Sequence, residues 1–117
     1  MEHFTREEIE EALRPIASLI SKSEKAQQKL APGSWQHTML QGNIKALHIA
    51  SAWMNKNDME NCTRDDLQEA LRALAYMISR SEKAQGKFSP GTSQHTLQRN
   101  RINSLRIASE LIGNALD

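Results

Sequence analysis

Apolar residues recur along this chain at alternating gaps of four and three, which is the spacing of one face of an α-helix. Such a seam runs from Ile9 to Ile20 and again from Leu67 to Ile78. A seam of this kind faces another helix, because an isolated helix cannot bury it. The segments that follow each seam continue the pattern with Leu40, Ile44, Leu47 and Met54, and with Ile102, Leu105 and Ile112. The pattern therefore predicts an all-α fold.

The chain carries one unit twice, at a shift of 58 residues. Residues 5–57 correspond to residues 63–115, and 12 of the 18 positions from 21 to 38 are identical in the two copies. From 39 to 57, identity falls to 5 of 19 positions. We therefore expect two similar halves within a single domain of residues 1–117.

Local signals divide each copy into two helices and a turn. In the first copy, Thr5 and Glu8 have the spacing of a capping box, Pro32-Gly33 ends the helix, and Ser34 can cap the next one. The second copy repeats these signals at Thr63, Asp66, Pro90-Gly91 and Thr92. Each copy is thus predicted to be a helical hairpin, and the short link at 56–62 favours antiparallel neighbours. The expected architecture is an up-down-up-down four-helix bundle made of two tandem duplicated helical hairpins, with both Pro-Gly tips at one end.

Pro15 and Cys62 are each expected to have a structural role in the predicted helices. Pro15 lies within the first predicted helix, where the second copy has Ala73, and it predicts a kink because proline removes a backbone hydrogen bond. Cys62 precedes the cap Thr63 at the position of a hydrophobic staple. A packing role is therefore expected for this cysteine, and not a reactive thiol.

Composition narrows the classes of partner. The chain has 15 Lys and Arg against 14 Asp and Glu, without the basic excess that is typical of nucleic-acid binders. No apolar run approaches the roughly 20 residues of a membrane span, and Met1 to Arg14 is too acidic for a targeting peptide. A single cysteine excludes an internal disulfide and multi-cysteine metal sites. We expect a cytoplasmic monomer or homodimer that binds neither membranes nor nucleic acid.

Polar residues interrupt the predicted seam near each Pro-Gly tip. The register places Ser23 and Gln27 on the inner face, and that of the antiparallel partner helix places His37, or its neighbour Gln36, there as well, which should make Gln27 and His37 neighbours. The second copy repeats this arrangement with Ser81, Gln85 and His95. A buried polar group without a partner costs about 1–3 kcal/mol, so these groups should bond to each other or to the loop backbone. One interpretation is a polar layer that fixes the register of the hairpins.

A second interpretation is a ligand or partner site, because the bundle would bring both tips into one ring. Its candidate residues are His37, His95, Gln27, Gln85, Glu24, Glu82, Lys29, Lys87 and Trp35. Two His and two Glu could bind a divalent metal, although the Glu-x-x-His pair of carboxylate-bridged bundles is missing from the sequence. A small anion could bind at the helix N-termini beside the lysines. His37 with Glu24 would be a general acid-base pair, but no catalytic motif supports an enzyme.

Two features belong to one copy each. Trp35 stands in the first turn of the second helix, and an exposed Trp at this tip would be an anchor for a protein partner. In the second copy, Arg99, Arg101 and Arg106 are basic where the first copy has Gln41, Asn43 and His48. We interpret this basic segment as a solvated helix face.

These observations favour a non-enzymatic protein-binding or regulatory module that needs no cofactor. The partner is expected to be another protein, which engages the tip end or an exposed helix face. Small helical bundles without a catalytic cluster commonly act in this way, and our expectation follows from that analogy at the level of fold. The alternative is a bundle that binds a metal or a small anion between the two Pro-Gly tips.

Overall fold

A computed structural model describes residues 4–57 and 61–117 of the chain. These residues form four α-helices, and no strand occurs among them. The all-α prediction is confirmed. The predicted link at 56–62 includes residues 58–60, which lie outside the described part. The helices are α1 (Arg6–Gln28), α2 (Trp35–Asn55), α3 (Arg64–Gln85) and α4 (Ser93–Leu116). None of them combines the length and the apolar character that a membrane crossing requires.

Helices α1 and α3 begin at reciprocal capping boxes. The amide of Glu8 donates to Thr5 Oγ1 and the amide of Thr5 donates to Glu8 Oε1, both at 3.0 Å. Asp66 and Thr63 make the same pair of bonds at 3.0 and 3.1 Å. Each box satisfies backbone donors that the first turn of a helix leaves without partners. The predicted starts of both helices are confirmed.

The turns between paired helices also repeat. Ser34 Oγ and Thr92 Oγ1 cap α2 and α4 by accepting from backbone amides three residues on. Before each cap, Gly33 and Gly91 have φ of +85° and +92°, a backbone conformation that side chains disfavour. The same local chemistry therefore builds both Pro-Gly tips.

The hydrophobic core occupies one half of the molecule. Its residues come from the first halves of α1 and α3 and the second halves of α2 and α4. We call residues 4–16, 43–57, 61–74 and 101–117 the base half, and residues 17–42 and 75–100 the tip half. In the tip half, no side chain is buried. The core consists of Ala12, Ile16, Ala46, Leu47, Ile49, Ala50, Met54, Leu67, Ala70, Leu74, Leu105, Ala108, Leu111 and Ile112.

The helices do not all meet. Helices α2 and α4 contact each other and both remaining helices, whereas α1 and α3 do not come within 8 Å of each other between Cα atoms. The described chain is correspondingly flat, with extents of 38 × 37 × 20 Å. A gap is therefore left between α1 and α3 in the tip half, where no core fills it.

The α2–α3 and α1–α4 contacts are built from corresponding residues. A cavity of about 80 Å³ lies at the first, beside Ala46 and Ala73. A cavity of about 470 Å³ lies at the α1–α4 contact, beside Ser104 and Pro15. Ser104 corresponds to Ala46, and Pro15 corresponds to Ala73, at the shift of 58 residues. Helix α1 is continuous through Pro15. The α1–α4 contact is thus the looser of the two.

The extent of the core corrects two expectations. Ser23, Gln27 and Leu40 are half-buried instead of buried, as are Ser81 and Gln85, because the core ends before their level. Conversely, Arg101 does not lie on a solvated face: it is 9% exposed.

Candidate functional site

The predicted tip ring is polar in the structure, and its hydrogen bonds stay within each hairpin. Gln27 Nε2 donates to the carbonyl O of His37 at 3.3 Å and to Gln41 Oε1 at 2.7 Å. The end of α1 is thereby fixed to the start of α2. In the second copy, position 99 carries Arg in place of Gln41, and among the described residues Gln85 makes no side-chain hydrogen bond.

The two histidines contribute backbone groups to the tips. The amide of His37 donates to Ser34 Oγ and that of His95 donates to Thr92 Oγ1, each at 3.2 Å. Both side chains are half-buried, and within residues 4–57 and 61–117 neither imidazole makes a hydrogen bond or an ion pair. The geometry therefore shows a structural use for their main chains and none for their rings.

The tip glutamates pair with the second helix of their own hairpin. Glu24 Oε2 lies 3.9 Å from His48 Nε2, so the histidine beside this carboxylate is His48 and not His37. Glu82 pairs with Arg106, which corresponds to His48 in the second copy. In the described ranges no group of three or more His, Cys, Asp or Glu side chains is arranged to hold a metal.

The remaining predicted ring residues lie at the surface. Lys29 and Lys87 are exposed, and no ion pair joins them to a described residue. Trp35 is 70% exposed. The structure thus brings Gln27 to His37, and within residues 4–57 and 61–117 no hydrogen bond or ion pair joins the lysines, glutamates and histidines of the two tips.

A different site opens between the hairpins. It is a cleft of about 290 Å³ with walls from the tip halves of α1 and α3 and a floor from α2 and α4, which we call the inter-hairpin cleft. Most of its lining residues form pairs 58 positions apart, so the cleft follows the sequence repeat. These pairs are Leu19 and Met77, Lys22 and Arg80, Ser23 and Ser81, Ala26 and Ala84, Leu40 and Gln98, and Asn43 and Arg101.

The cleft is cationic. Lys22, Arg80 and Arg101 line it, and no Asp or Glu is among its described lining residues. Arg80 also lies over the ring of Tyr76, with its guanidinium carbon 5.7 Å from the ring centroid. The cleft therefore combines three positive charges with apolar walls.

Arg101 is the unusual member of this set. It is buried in the cleft floor, and its Nε has no hydrogen-bond partner among the described residues. Burial lowers the pKa of Arg101 below its ordinary value, because a desolvated charge is disfavoured. The sequence contains a signal for its position, since Arg101 lies four residues before Leu105 and continues the stripe of Leu105, Ala108 and Ile112 on the inner face of α4. Our interpretation of a solvated basic segment missed that signal.

An exposed apolar groove adjoins the cleft. Trp35, Met39 and Gly42 of α2 form one side, and Tyr76 of α3, which also lines the cleft, lies on the other. The four large hydrophobic side chains that stand exposed in the described residues all belong to the tip half: Trp35, Tyr76, Phe88 and Leu97. Trp35 and Tyr76 line the same groove, and exposed apolar surface of this kind marks an interaction site more often than an isolated exposed residue does.

Cys62 has the packing environment that its staple position predicts. It is half-buried against the core, and burial raises the pKa of its thiol. A raised pKa disfavours the thiolate that reactivity requires.

No protein-family model, curated protein or solved structure matches the chain.

Proposed function

We propose that this chain is a non-enzymatic protein-binding module whose inter-hairpin cleft receives an amphipathic helix of a partner protein. The proposal takes the fold as an up-down-up-down four-helix bundle of two tandem duplicated hairpins. One observation carries it: within residues 4–57 and 61–117, the core is confined to the base half, whereas the large exposed hydrophobic side chains all stand in the tip half. The base half thus supplies stability and leaves the tip half available for binding.

The apolar walls of the cleft favour a helical occupant. Leu19 of α1, Leu40 of α2 and Met77 of α3 all line the cleft, and each is half-buried. Removing apolar surface from water contributes about 25 cal/mol per Å², so covering these half-exposed side chains is favourable. A helix that lays its apolar face into a groove is a common mode of recognition, and here it would extend the core into the tip half.

Charge selects among possible helices. The cations Lys22, Arg80 and Arg101 line the cleft, and no Asp or Glu is among the lining residues that the structure describes. A partner helix that carries Asp or Glu next to its apolar stripe would be electrostatically complementary, which raises association rate and specificity. Trp35, exposed at the adjoining groove, would be its aromatic anchor.

Site-directed photo-crosslinking in the source cell tests this proposal. A photoreactive residue at Ala26, in the cleft wall, is compared with one at Asn114, which is exposed in the base half. We expect crosslinking at position 26 to a protein segment with apolar residues at helical spacing and flanking carboxylates, and no such product from position 114. A synthetic peptide of that segment should then bind the purified protein.

Two outcomes would contradict the proposal. Equal yields of the same products from positions 26 and 114 would mean that the cleft is not the contact surface. Crosslinks from position 26 to nucleic acid would reverse the choice of partner. A non-enzymatic role, a cytoplasmic location and a monomeric or homodimeric state remain predictions from the sequence.

The small-anion alternative has an observation of its own in Arg101. Its buried guanidinium lies in the cleft and not at the predicted ring of His37 and His95. The metal alternative lacks a comparable observation within the described residues.

A further inference from the structure

We infer that the inter-hairpin cleft contains an oxyanion site centred on Arg101, which takes the carboxylate or phosphate group of a ligand. The guanidinium of arginine presents five donors in a planar fork that matches two oxygens of such a group. In this protein Arg101 lines the floor of an open cleft, although its Nε is shielded from solvent. The site is distinct from the tip ring that the sequence suggested.

The first observation is the missing partner. Arg101 Nε is fully shielded from solvent, and no acceptor bonds to it among the described residues. Buried polar atoms are hydrogen-bonded in the large majority of cases, so an exception needs an explanation. An anion at the part of Arg101 that lines the cleft would compensate the charge of this guanidinium.

The second observation is the positive charge around Arg101. Lys22 and Arg80 line opposite walls at corresponding positions of the two copies, and the hydroxyls of Ser23 and Ser81 follow one residue later on each wall. Like charges around one cleft repel each other, and an anion between them offsets part of that repulsion. The serine hydroxyls can donate to its remaining oxygens.

The third observation comes from the repeat itself. The residue that corresponds to Arg101 is Asn43, which is also buried and also lines the cleft. The fold therefore accepts a neutral polar side chain at this level, and the buried charge at position 101 is not a requirement of packing. A buried unpaired charge destabilises a protein unless a partner compensates it.

Two sources could provide the oxyanion. One is an Asp or Glu side chain of the partner helix proposed above, and the other is a free small molecule with a carboxylate or a phosphate. The inference does not depend on the partner helix, because an isolated anion can occupy the site in its absence.

Thermal unfolding with inorganic phosphate and with acetate, each against chloride at equal ionic strength, tests the site. R101N places the residue of the first copy at this position, and R99Q does the same at an exposed neighbour on the same helix, so both remove one positive charge. We expect phosphate at tenfold excess over its Kd to raise the Tm of the wild type and of R99Q by about 5 °C. R101N should lose this rise, and its Tm without phosphate should equal or exceed that of the wild type.

The comparison between variants matters because phosphate stabilises many proteins without binding a site. An equal rise in all three proteins would overturn the inference. The inference would also be overturned if R101N had a lower Tm than the wild type without phosphate and the same rise in Tm with phosphate. That pair of results would assign Arg101 a structural role. As a direct readout, the Nε–H NMR resonance of Arg101, assigned by its loss in R101N, should shift on addition of phosphate in the wild type, and an unshifted resonance would also count against the site.

A competition experiment separates the two sources. The probe is an amphipathic peptide of Leu, Ala and Glu at helical spacing, added to the phosphate-bound protein. Displacement of phosphate by this peptide supports a carboxylate of a protein helix as the native occupant. Phosphate binding that the peptide does not disturb supports the oxyanion site with a free anion as its ligand, and it counts against the proposed helix-binding function.

Discussion

The base half and the tip half of this molecule have the same helices but different interiors. In the base half, Ile16, Leu47, Leu74 and Leu105 are fully buried and belong to one core. In the tip half, the same helices continue with half-buried polar residues and exposed aromatic side chains around an open cleft. The difference indicates that the base half holds the fold together, and it is the basis of our proposal that the tip half serves recognition.

The cleft lies where two hairpins of similar sequence leave their first helices apart. Since α1 and α3 do not contact each other, every helix contact between the two hairpins involves α2 or α4. This arrangement leaves α1 and α3 apart. The walls of the gap are then lined by corresponding residues of both copies. The two copies differ at some of these positions. Above all, Arg101 stands where the first copy has the neutral Asn43, and this difference adds a positive charge to one side of the cleft.

The largest expected effect contrasts two leucines on α2. Leu47 is fully buried in the base half, whereas Leu40, two turns earlier, is half-buried beside the cleft. L47A should lower the free energy of unfolding by about 2–5 kcal/mol, because it leaves a cavity in the core. L40A should cost about 1 kcal/mol or less, because the half-buried side chain of Leu40 removes less apolar surface from water when the protein folds. Urea denaturation measures both, and equal losses would break the distinction between the halves.

Replacing the helix-interior proline should stabilise the base half. P15A restores the backbone donor that proline lacks and copies Ala73 of the tighter α2–α3 contact. We expect the free energy of unfolding to rise by about 1–3 kcal/mol, which thermal unfolding would register as a higher Tm. An unchanged or lower Tm would show that the proline conformation suits α1 at this point.

The capping box of α3 tests the boundary of the base half. Removing the Thr63 hydroxyl in T63A leaves the amide of Asp66 without its acceptor, which should cost about 1 kcal/mol in urea denaturation. T63S keeps the hydroxyl and is the matched control. A loss of similar size in T63S would point to the methyl group of Thr63 and away from the cap.

The same cap makes stability depend on pH. The pKa of Asp66 is lowered because its carboxylate accepts from the Thr63 amide at 3.1 Å and from Lys45 Nζ at 3.0 Å. Its charged form therefore stabilises the folded state above its ordinary pKa of 3.8, and this contribution is lost as the pH falls below that value. D66N should flatten the decline of stability in this window. Parallel pH profiles for D66N and the wild type would contradict the assignment.

The smallest expected effect on stability belongs to Trp35. W35S imports the residue of the second copy, and since Trp35 is 70% exposed, the free energy of unfolding should change by no more than about 0.5 kcal/mol. Binding of the crosslinked partner peptide should nevertheless weaken by about tenfold or more. R99Q, whose exposed arginine does not line the cleft, should leave that affinity unchanged. A large loss of stability in W35S would assign Trp35 to the fold instead.

Local features of the fold were predictable because few residues determine them. The capping boxes at Thr5 and Thr63 and the glycine turns at Gly33 and Gly91 depend on chemistry within three or four positions, and the structure has them where the pattern predicts. The four helices and most of the inner positions follow from the apolar spacing in the same way.

The end of the core was not predictable from one seam. The register that buries Ile16 continues to Ser23 and Gln27, but burial there depends on whether α1 and α3 meet, which the sequence of either hairpin does not state. The same limit applies to the site. The neighbours Gln27 and His37 follow from a single hairpin, whereas a cleft around Arg101 requires the placement of two.

Native-state hydrogen exchange tests the division between the halves most directly. Amides at 47–54 of α2 should exchange with a free energy equal to that of global unfolding, whereas amides at 20–28 of α1 and 78–85 of α3 should exchange through local openings of lower free energy. Equal protection in both regions would contradict the account, because the tip half would then be as much a part of the folded core as the base half.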